Sequence, residues 1–277
     1  MRKSGRPADL AVVTLLYHEV AGRSEESGFK RHSAMPYRQS ASTFLDHLEI
    51  LSKSAVQPTT ISQWKPSAGG RSLFLTFDDG GHSAFRAARL VEEKGWRAHF
   101  FIVTAFIGTE GFLSSDEILD LHRRGHVIGS HSHRHPDIFY NLSREEMLQE
   151  WQTSCEALSE IIQTPIVVAS VPGGDMDRRT IETAGEAGIR YLFTSEPVLV
   201  PWKHGDTTCL GRFCLRRDTP LKRIEDYANF RTGPGELWLR RSKQAIKRLA
   251  APLYTLLSWQ NRLALPSRES RERRPPD

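Results

Sequence analysis

Leu73-Phe74-Leu75-Thr76-Phe77-Asp78-Asp79-Gly80 is an apolar strand, Leu73–Phe77, that runs straight into two adjacent carboxylates and a glycine. A short apolar run with no polar alternation is what a strand covered on both faces of a parallel sheet requires. Outward from it the same unit recurs. The further strand candidates are Ala11–Tyr17, Ala98–Val103, His126–Gly129, Ile166–Ser170, Arg190–Phe193 and Leu210–Leu215. Helical patterns fall near 42–54, 83–95, 115–125, 143–163, 177–188 and 221–229. Ser143 and Glu146 form a capping box in front of the fourth, and Gly95, Gly125 and Gly188 stand where a helix must stop before the next strand. Regular β-α alternation predicts an α/β fold with a parallel sheet and helices outside, and six or seven such units predict a barrel.

The chain has 277 residues, 39% of them hydrophobic, enough for a globular body and not a disordered chain. Its net charge of +5 is unevenly placed: residues 231–277 carry +7 and residues 1–230 carry −2. The body is therefore not an obvious phosphate binder, and no nucleic-acid partner is expected. We read 1–230 as the folded domain, 231–265 as a basic amphipathic helical extension and 266–277 as a disordered tail. In 236–265, Trp238, Leu239, Ile246, Leu249 and Leu253 interleave with Arg240, Arg241, Lys243, Lys247 and Arg248. That pattern suits a helix packed on the domain, or a surface helix making peripheral contact with an anionic membrane. The run Leu10–Tyr17 is too short to cross a membrane, and His18-Glu19 stand where a small-residue cleavage site would lie. No signal peptide or transmembrane helix is expected, and the predicted location is cytoplasmic, with the option of the inner membrane face. Three cysteines, Cys155, Cys209 and Cys214, make no disulfide framework.

A lone Asp-Asp-Gly is ordinarily a turn. Here a second polar cluster also follows a strand: Gly129-Ser130-His131-Ser132-His133-Arg134-His135-Pro136. His131 and His135 are four apart, a spacing that on a helical turn puts both imidazoles on one face. In a barrel the C-terminal strand ends share one mouth, where active sites lie. Asp78 and Asp79 follow one such end, His131 another, His18 a third and Pro172-Gly173-Gly174-Asp175 a fourth. Two imidazoles and one carboxylate leave positions open on a divalent ion of the zinc type, as a catalytic site needs. The second carboxylate is then free to take a proton from water, and a histidine opposite can protonate a leaving amine. His133 is an alternative ligand to His135, and Trp64 is either a sugar-stacking surface or a core residue.

Thr76-Phe77-Asp78-Asp79-Gly80 followed by His131-Ser132-x-x-His135 resembles the first two motifs of the polysaccharide deacetylases, the NodB-homology or carbohydrate esterase family 4 enzymes. The resemblance spans about 10–215. It implies a distorted (β/α) barrel of about seven strands, and removal of N-acetyl groups from an acetylated sugar or polysaccharide with a divalent metal, zinc first among candidates. It assigns Asp78 as general base, Asp79, His131 and His135 as metal ligands and Ser132 as their support, with Pro172, Gly173 and Asp175 beside the site. The substrate it implies is an acetylated glycan or, for a protein inside the cell, a lipid-linked sugar. Two departures stand out. Ala169-Ser170-Val171-Pro172-Gly173-Gly174 lacks the arginine usual in the third motif, and no Leu-x-His occurs near 209–216. Leu15-Leu16-Tyr17-His18, followed by the Phe44–Leu51 helical pattern, is instead similar to the circularly permuted poly-N-acetylglucosamine deacetylase branch, which assigns His18 as general acid. Gly81 replaces an aromatic residue usual after the first motif, which implies a wider mouth. An O-acetyl esterase, another C–N hydrolase and a non-catalytic glycan-binding protein on the same fold are the competing readings.

Overall fold

In a computed structural model, residues 10–22, 27–65, 70–233 and 235–236 are described. The predicted extension beyond Glu236 and the tail 266–277 lie outside them. The chain divides after Gly233, and the fold below is that of the first unit.

Among the described residues, twelve strands and six α-helices are laid out in chain order. The strands are β1 (Ala11–Tyr17), β2 (Glu19–Ala21), β3 (Arg38–Ser40), β4 (Pro58–Thr59), β5 (Arg71–Phe77), β6 (His99–Ile102), β7 (Val127–Ser130), β8 (Val168–Ser170), β9 (Tyr191–Phe193), β10 (Trp202–His204), β11 (Thr207–Leu210) and β12 (Phe213–Cys214). The helices are α1 (Ala41–Ser52), α2 (Ala84–Glu93), α3 (Ser115–Arg123), α4 (Arg144–Ile162), α5 (Arg178–Glu186) and α6 (Leu221–Ala228). Each of the six helices predicted between residues 42 and 229 is present. The capping box at Ser143 and Glu146 is formed, and a second, Ser114 with Glu117, opens α3. Gly95, Gly125 and Gly188 all take positive φ just past a helix, which a Cβ would strain.

The main sheet runs β10-β11-β9-β8-β7-β6-β5-β1-β12, parallel throughout except for the β10–β11 hairpin. Its barrel character comes from one stretch of chain. β11 pairs with β9 and β12 pairs with β1, yet only Gly211 and Arg212 separate β11 from β12. A single kinked strand thus joins the two sides of a curled sheet, and the predicted distorted (β/α) barrel is the observed architecture. Gly211 permits the kink: a Cβ there would come within 2.4 Å of the Glu196 and Val198 carbonyl oxygens. The two- and three-residue strands β2, β3, β4 and β10 were not foreseen; so few residues carry no periodicity.

Strand registry sets the mouth. Tyr17 pairs with Phe77, so His18 and Asp78 emerge side by side, and Asp78 N–H donates to the Tyr17 carbonyl at 3.0 Å. Ile102 pairs with Ser130 and Ser130 with Ala169, which delivers His131 and Ser170 to the same end. The layer between the sheet and the helices is aromatic near the mouth: Phe77 stacks on Phe100 at 5.0 Å, and Tyr17 meets Phe44 of α1 edge-on at 5.0 Å. Trp64 belongs to a second, separate apolar cluster with Phe74, Phe101 and Phe193, packs against Phe74 and Tyr191, and is no sugar platform. Cys209 is buried on β11 and Cys214 is exposed on β12. Among the described residues no helix is long and apolar enough to cross a membrane.

Candidate active site

Asp79, His131 and His135 converge at the mouth. One ligand atom from each lies within 4.8 Å of the other two. Asp79 Oδ1 is 3.5 Å from His131 Nε2 and 3.7 Å from His135 Nε2. The helical-turn geometry expected for the two histidines is not what brings them together. Residues 131–136 are a loop, and Ser132 and His135 both sit in the left-handed region, at φ 63° and 54°. The loop reverses direction where a helix would continue. Its conformation is held by side chains: Ser132 Oγ accepts the His135 N–H at 3.1 Å, and Ser130 Oγ accepts the Ser132 N–H at 3.1 Å. Ser132 therefore fixes the backbone that carries His135. His133 is turned away, its Nδ1 2.9 Å from Thr104 Oγ1.

The loop has a further anchor that sequence reasoning missed. Glu150, buried on α4, accepts the N–H groups of His133 and Arg134 at 2.9 and 2.8 Å and the Arg134 guanidinium at 2.6 Å. Glu150→Ala would remove the acceptor of two part-buried loop N–H groups. We expect it to cost about 1–2 kcal/mol of stability and, if the Asp79, His131 and His135 cluster holds a divalent metal, to weaken its binding about tenfold. Urea unfolding of the metal-free protein and competition with a chromogenic chelator measure the two effects.

Asp78 is held by an arginine after all. Arg212, at the kink between β11 and β12, makes two parallel hydrogen bonds to it, Nη1 to Oδ1 at 2.7 Å and Nη2 to Oδ2 at 2.9 Å. Its Nε donates to the Thr194 carbonyl at 2.9 Å. The arginine absent from the third-motif stretch is thus supplied by Arg212, 38 residues past the last residue of that stretch, Gly174, and the signal for it was a basic residue beside a glycine inside a strand candidate. Ser170 at the end of β8 completes the frame: its Oγ donates to Asp78 Oδ1 at 3.2 Å and lies 2.6 Å from His131 Nδ1. Pro172 and Gly173 form the turn above Ser170, and Asp175 is buried at its end.

Burial and charge drive the two aspartates apart. Burial alone would raise Asp78, but the charges of Arg212 and His131 and the arginine's hydrogen bonds outweigh it and bring the carboxyl down to about 2. Asp79 goes the other way. Burial, then the charge of Asp78, then that of Glu19, lift it well above the usual carboxylate range. Burial lowers His131 and, helped by the charges of His131 and Arg31, lowers His135 far below the ordinary imidazole value. Neutral imidazoles beside a carboxylate crowded by other carboxylates form a donor set that a dication satisfies. The residues present therefore fit a divalent metal.

His18 sits half-buried at the same mouth, its ring 4.8 Å from Tyr37. Burial pushes it down to about 4 against the pull of Asp78. The wider mouth expected from Gly81 is not found on this side of the loop. A Cβ on Gly81 would come within 2.2 Å of Glu19 Oε1, so the space belongs to a buried carboxylate.

The family model for polysaccharide deacetylases matches residues 65–192. A putative polysaccharide deacetylase of Bacillus subtilis, YxkH, is 24% identical over 204 residues, 70% of this chain and 67% of that protein. An uncharacterised 30.6 kDa protein of Geobacillus stearothermophilus is 26% identical over 136 residues; the match covers 48% of this chain and about half, 49%, of that relative. Among solved structures, a polysaccharide deacetylase from Bacillus cereus superposes with a TM-score of 0.67 at 19% identity, over 79% of this chain and 69% of that one. IcaB from Ammonifex degensii gives 0.64 at 21% identity, over 79% and 97%. The fold is that of the polysaccharide deacetylases. Over residues 65–192 the sequence is similar to the polysaccharide deacetylases as well.

Proposed function

We propose that this protein is a metal-dependent hydrolase that removes N-acetyl groups from an acetylated sugar or glycan. The observation that carries the reading is the meeting of Asp79, His131 and His135 within 4.8 Å beside a second carboxylate, Asp78, locked by Arg212. Asp79, His131 and His135 would hold the cation, zinc by the balance of nitrogen and oxygen donors, which when bound polarises the amide carbonyl and makes water more acidic. Asp78, ionised and fixed by two hydrogen bonds, takes the proton from water as it attacks. His18 delivers a proton to the departing nitrogen. Amide and water thereby become acetate and free amine. Because burial holds His18 near 4, it is neutral at rest, and the proton it delivers to nitrogen is the one Asp78 takes from water.

The missing third-motif arginine was the reason to consider a non-catalytic glycan-binding protein. Arg212 removes that reason. The substrate class we favour is an N-acetylated hexosamine, free in a glycan or carried on a lipid.

The test is acetate and amine release from short N-acetylglucosamine oligomers. Metal-loaded protein should release both in equal amounts, chelation should stop release by more than a hundredfold, and added zinc should restore it. Acetate from an O-acetylated sugar without any amine would favour the esterase reading. Turnover untouched by exhaustive chelation would defeat the metal-dependent one.

A further inference from the structure

Glu19 immediately follows His18 and is buried, 3% exposed, in a seat made by missing side chains. A Cβ on Gly28 would lie 1.8 Å from Glu19 Oε1, and one on Gly81 would lie 2.2 Å from the same atom. Gly81 has no positive φ, so at that position it is space and not backbone conformation that calls for glycine. Ser83 donates its hydroxyl to Glu19 Oε2 and accepts the Val20 N–H at 3.2 Å, while its own N–H donates to Ser27 Oγ at 2.8 Å. Oε1 has no hydrogen-bond partner among the described residues. A carboxylate buried with one oxygen unpartnered costs stability. Fold stability therefore does not explain why the chain builds a seat for it.

Position does. Gly81 is two residues beyond Asp79, so the carboxylate rests against the back of the turn that presents this ligand. A negative charge there repels Asp79 while no cation is present and attracts a dication once one is bound. Glu19 is not within the set of converging ligand atoms, so its action is through space. We propose that Glu19 is a positioning residue of the metal centre: a buried negative charge behind the Asp79 turn that strengthens cation binding without coordinating the cation. The inference rests on the metal-centre reading given above.

Glu19→Gln tests it, because the amide keeps the size and can still accept the Ser83 hydroxyl while losing the charge. The readout is zinc affinity of the full chain, by competition with a chromogenic chelator, alongside the melting temperature of the metal-free protein. The expected result is zinc binding weakened about tenfold, as for other residues outside the ligand set, with the metal-free melting temperature no lower than that of the parent. Unchanged affinity would overturn the inference. Ser83→Ala is the second arm and stands alone should Glu19→Gln not fold. It removes the hydroxyl and keeps the charge, so affinity should stay within about threefold of the parent. A tenfold loss there would show that packing of the turn sets the affinity, and would overturn the inference too. Parent protein that binds no zinc at all would overturn the metal-centre reading itself, a result distinct from equal binding by parent and Glu19→Gln.

Discussion

Arg212→Met is expected to destabilise the protein by about 3–5 kcal/mol and to lower acetate release by more than a hundredfold. The guanidinium is 1% exposed, and its partner Asp78 is 3% exposed. Removing one partner of a buried pair leaves the other charge uncompensated, which is where the cost of about 3–5 kcal/mol arises. Three of the arginine's bonds go at once: two to Asp78 and one to the Thr194 carbonyl. The activity loss has a separate origin. Without the arginine, burial is left to raise Asp78, and a carboxyl that holds its proton cannot take one from water. Arg212→Lys should recover little, since an ammonium is a point charge and cannot make the paired bonds. The double variant Arg212→Met, Asp78→Asn separates the two effects. Its stability should lie well above the sum of the single losses, because no charge is then left alone, while its activity stays as low as that of either single variant. Urea unfolding of all four proteins in the absence of metal closes the cycle. A single-variant loss under about 1 kcal/mol would show that the pair is solvated and that Asp78 is not held as described.

How far the site was legible depended on sequence distance. Asp78 and Asp79 announce themselves because each belongs to a strand and the turn that ends it, all within eight residues. The same holds for His131 to His135. What local reading got wrong there was conformation. Four-residue spacing suggested a helical turn, but Ser132 and His135 are left-handed, and the loop is held by Glu150 on a helix that begins thirteen residues after His131. Arg212 lies 134 residues from Asp78, and nothing in Leu210-Gly211-Arg212-Phe213 says which strand lies opposite. That pairing follows from β11 and β12 being one kinked strand shared by β9 and β1, a property of barrel closure and not of any local pattern. Glu19 was hidden for the same reason. A charged residue after an apolar strand reads as a solvated end, and only the approach of Gly28 and Gly81 turns it into a buried group. The barrel itself was readable because six helix–strand units each repeat the same signal, and the missed strands β2, β3, β4 and β10 are too short to carry one.

Asp79→Asn should separate binding from stability in the opposite sense to Arg212→Met. In the metal-free fold Asp79 is the misfit of the site: buried, beside Asp78 and acted on by the charge of Glu19. The amide has the same shape and no charge, so metal-free stability is expected to equal or exceed that of the parent. Zinc changes the comparison. A ligand that binds only the folded state at about a hundred times its dissociation constant stabilises by about 2.7 kcal/mol. For a domain of this size that corresponds to a rise in melting temperature of roughly 5–10 °C. The parent should show that rise on adding zinc. Asp79→Asn, with one of three ligands replaced by a poor donor, should show almost none, and its acetate release should fall by more than a thousandfold. A variant that is markedly less stable than the parent without metal would mean that Asp79 serves the fold, as a hydrogen-bonded structural carboxylate would. A variant that still gains the full zinc shift would mean that the cation is held by other groups. The charge crowding at Asp79 is then best understood as stability given up for affinity: the three carboxylates that repel one another in the empty fold are what a dication draws together.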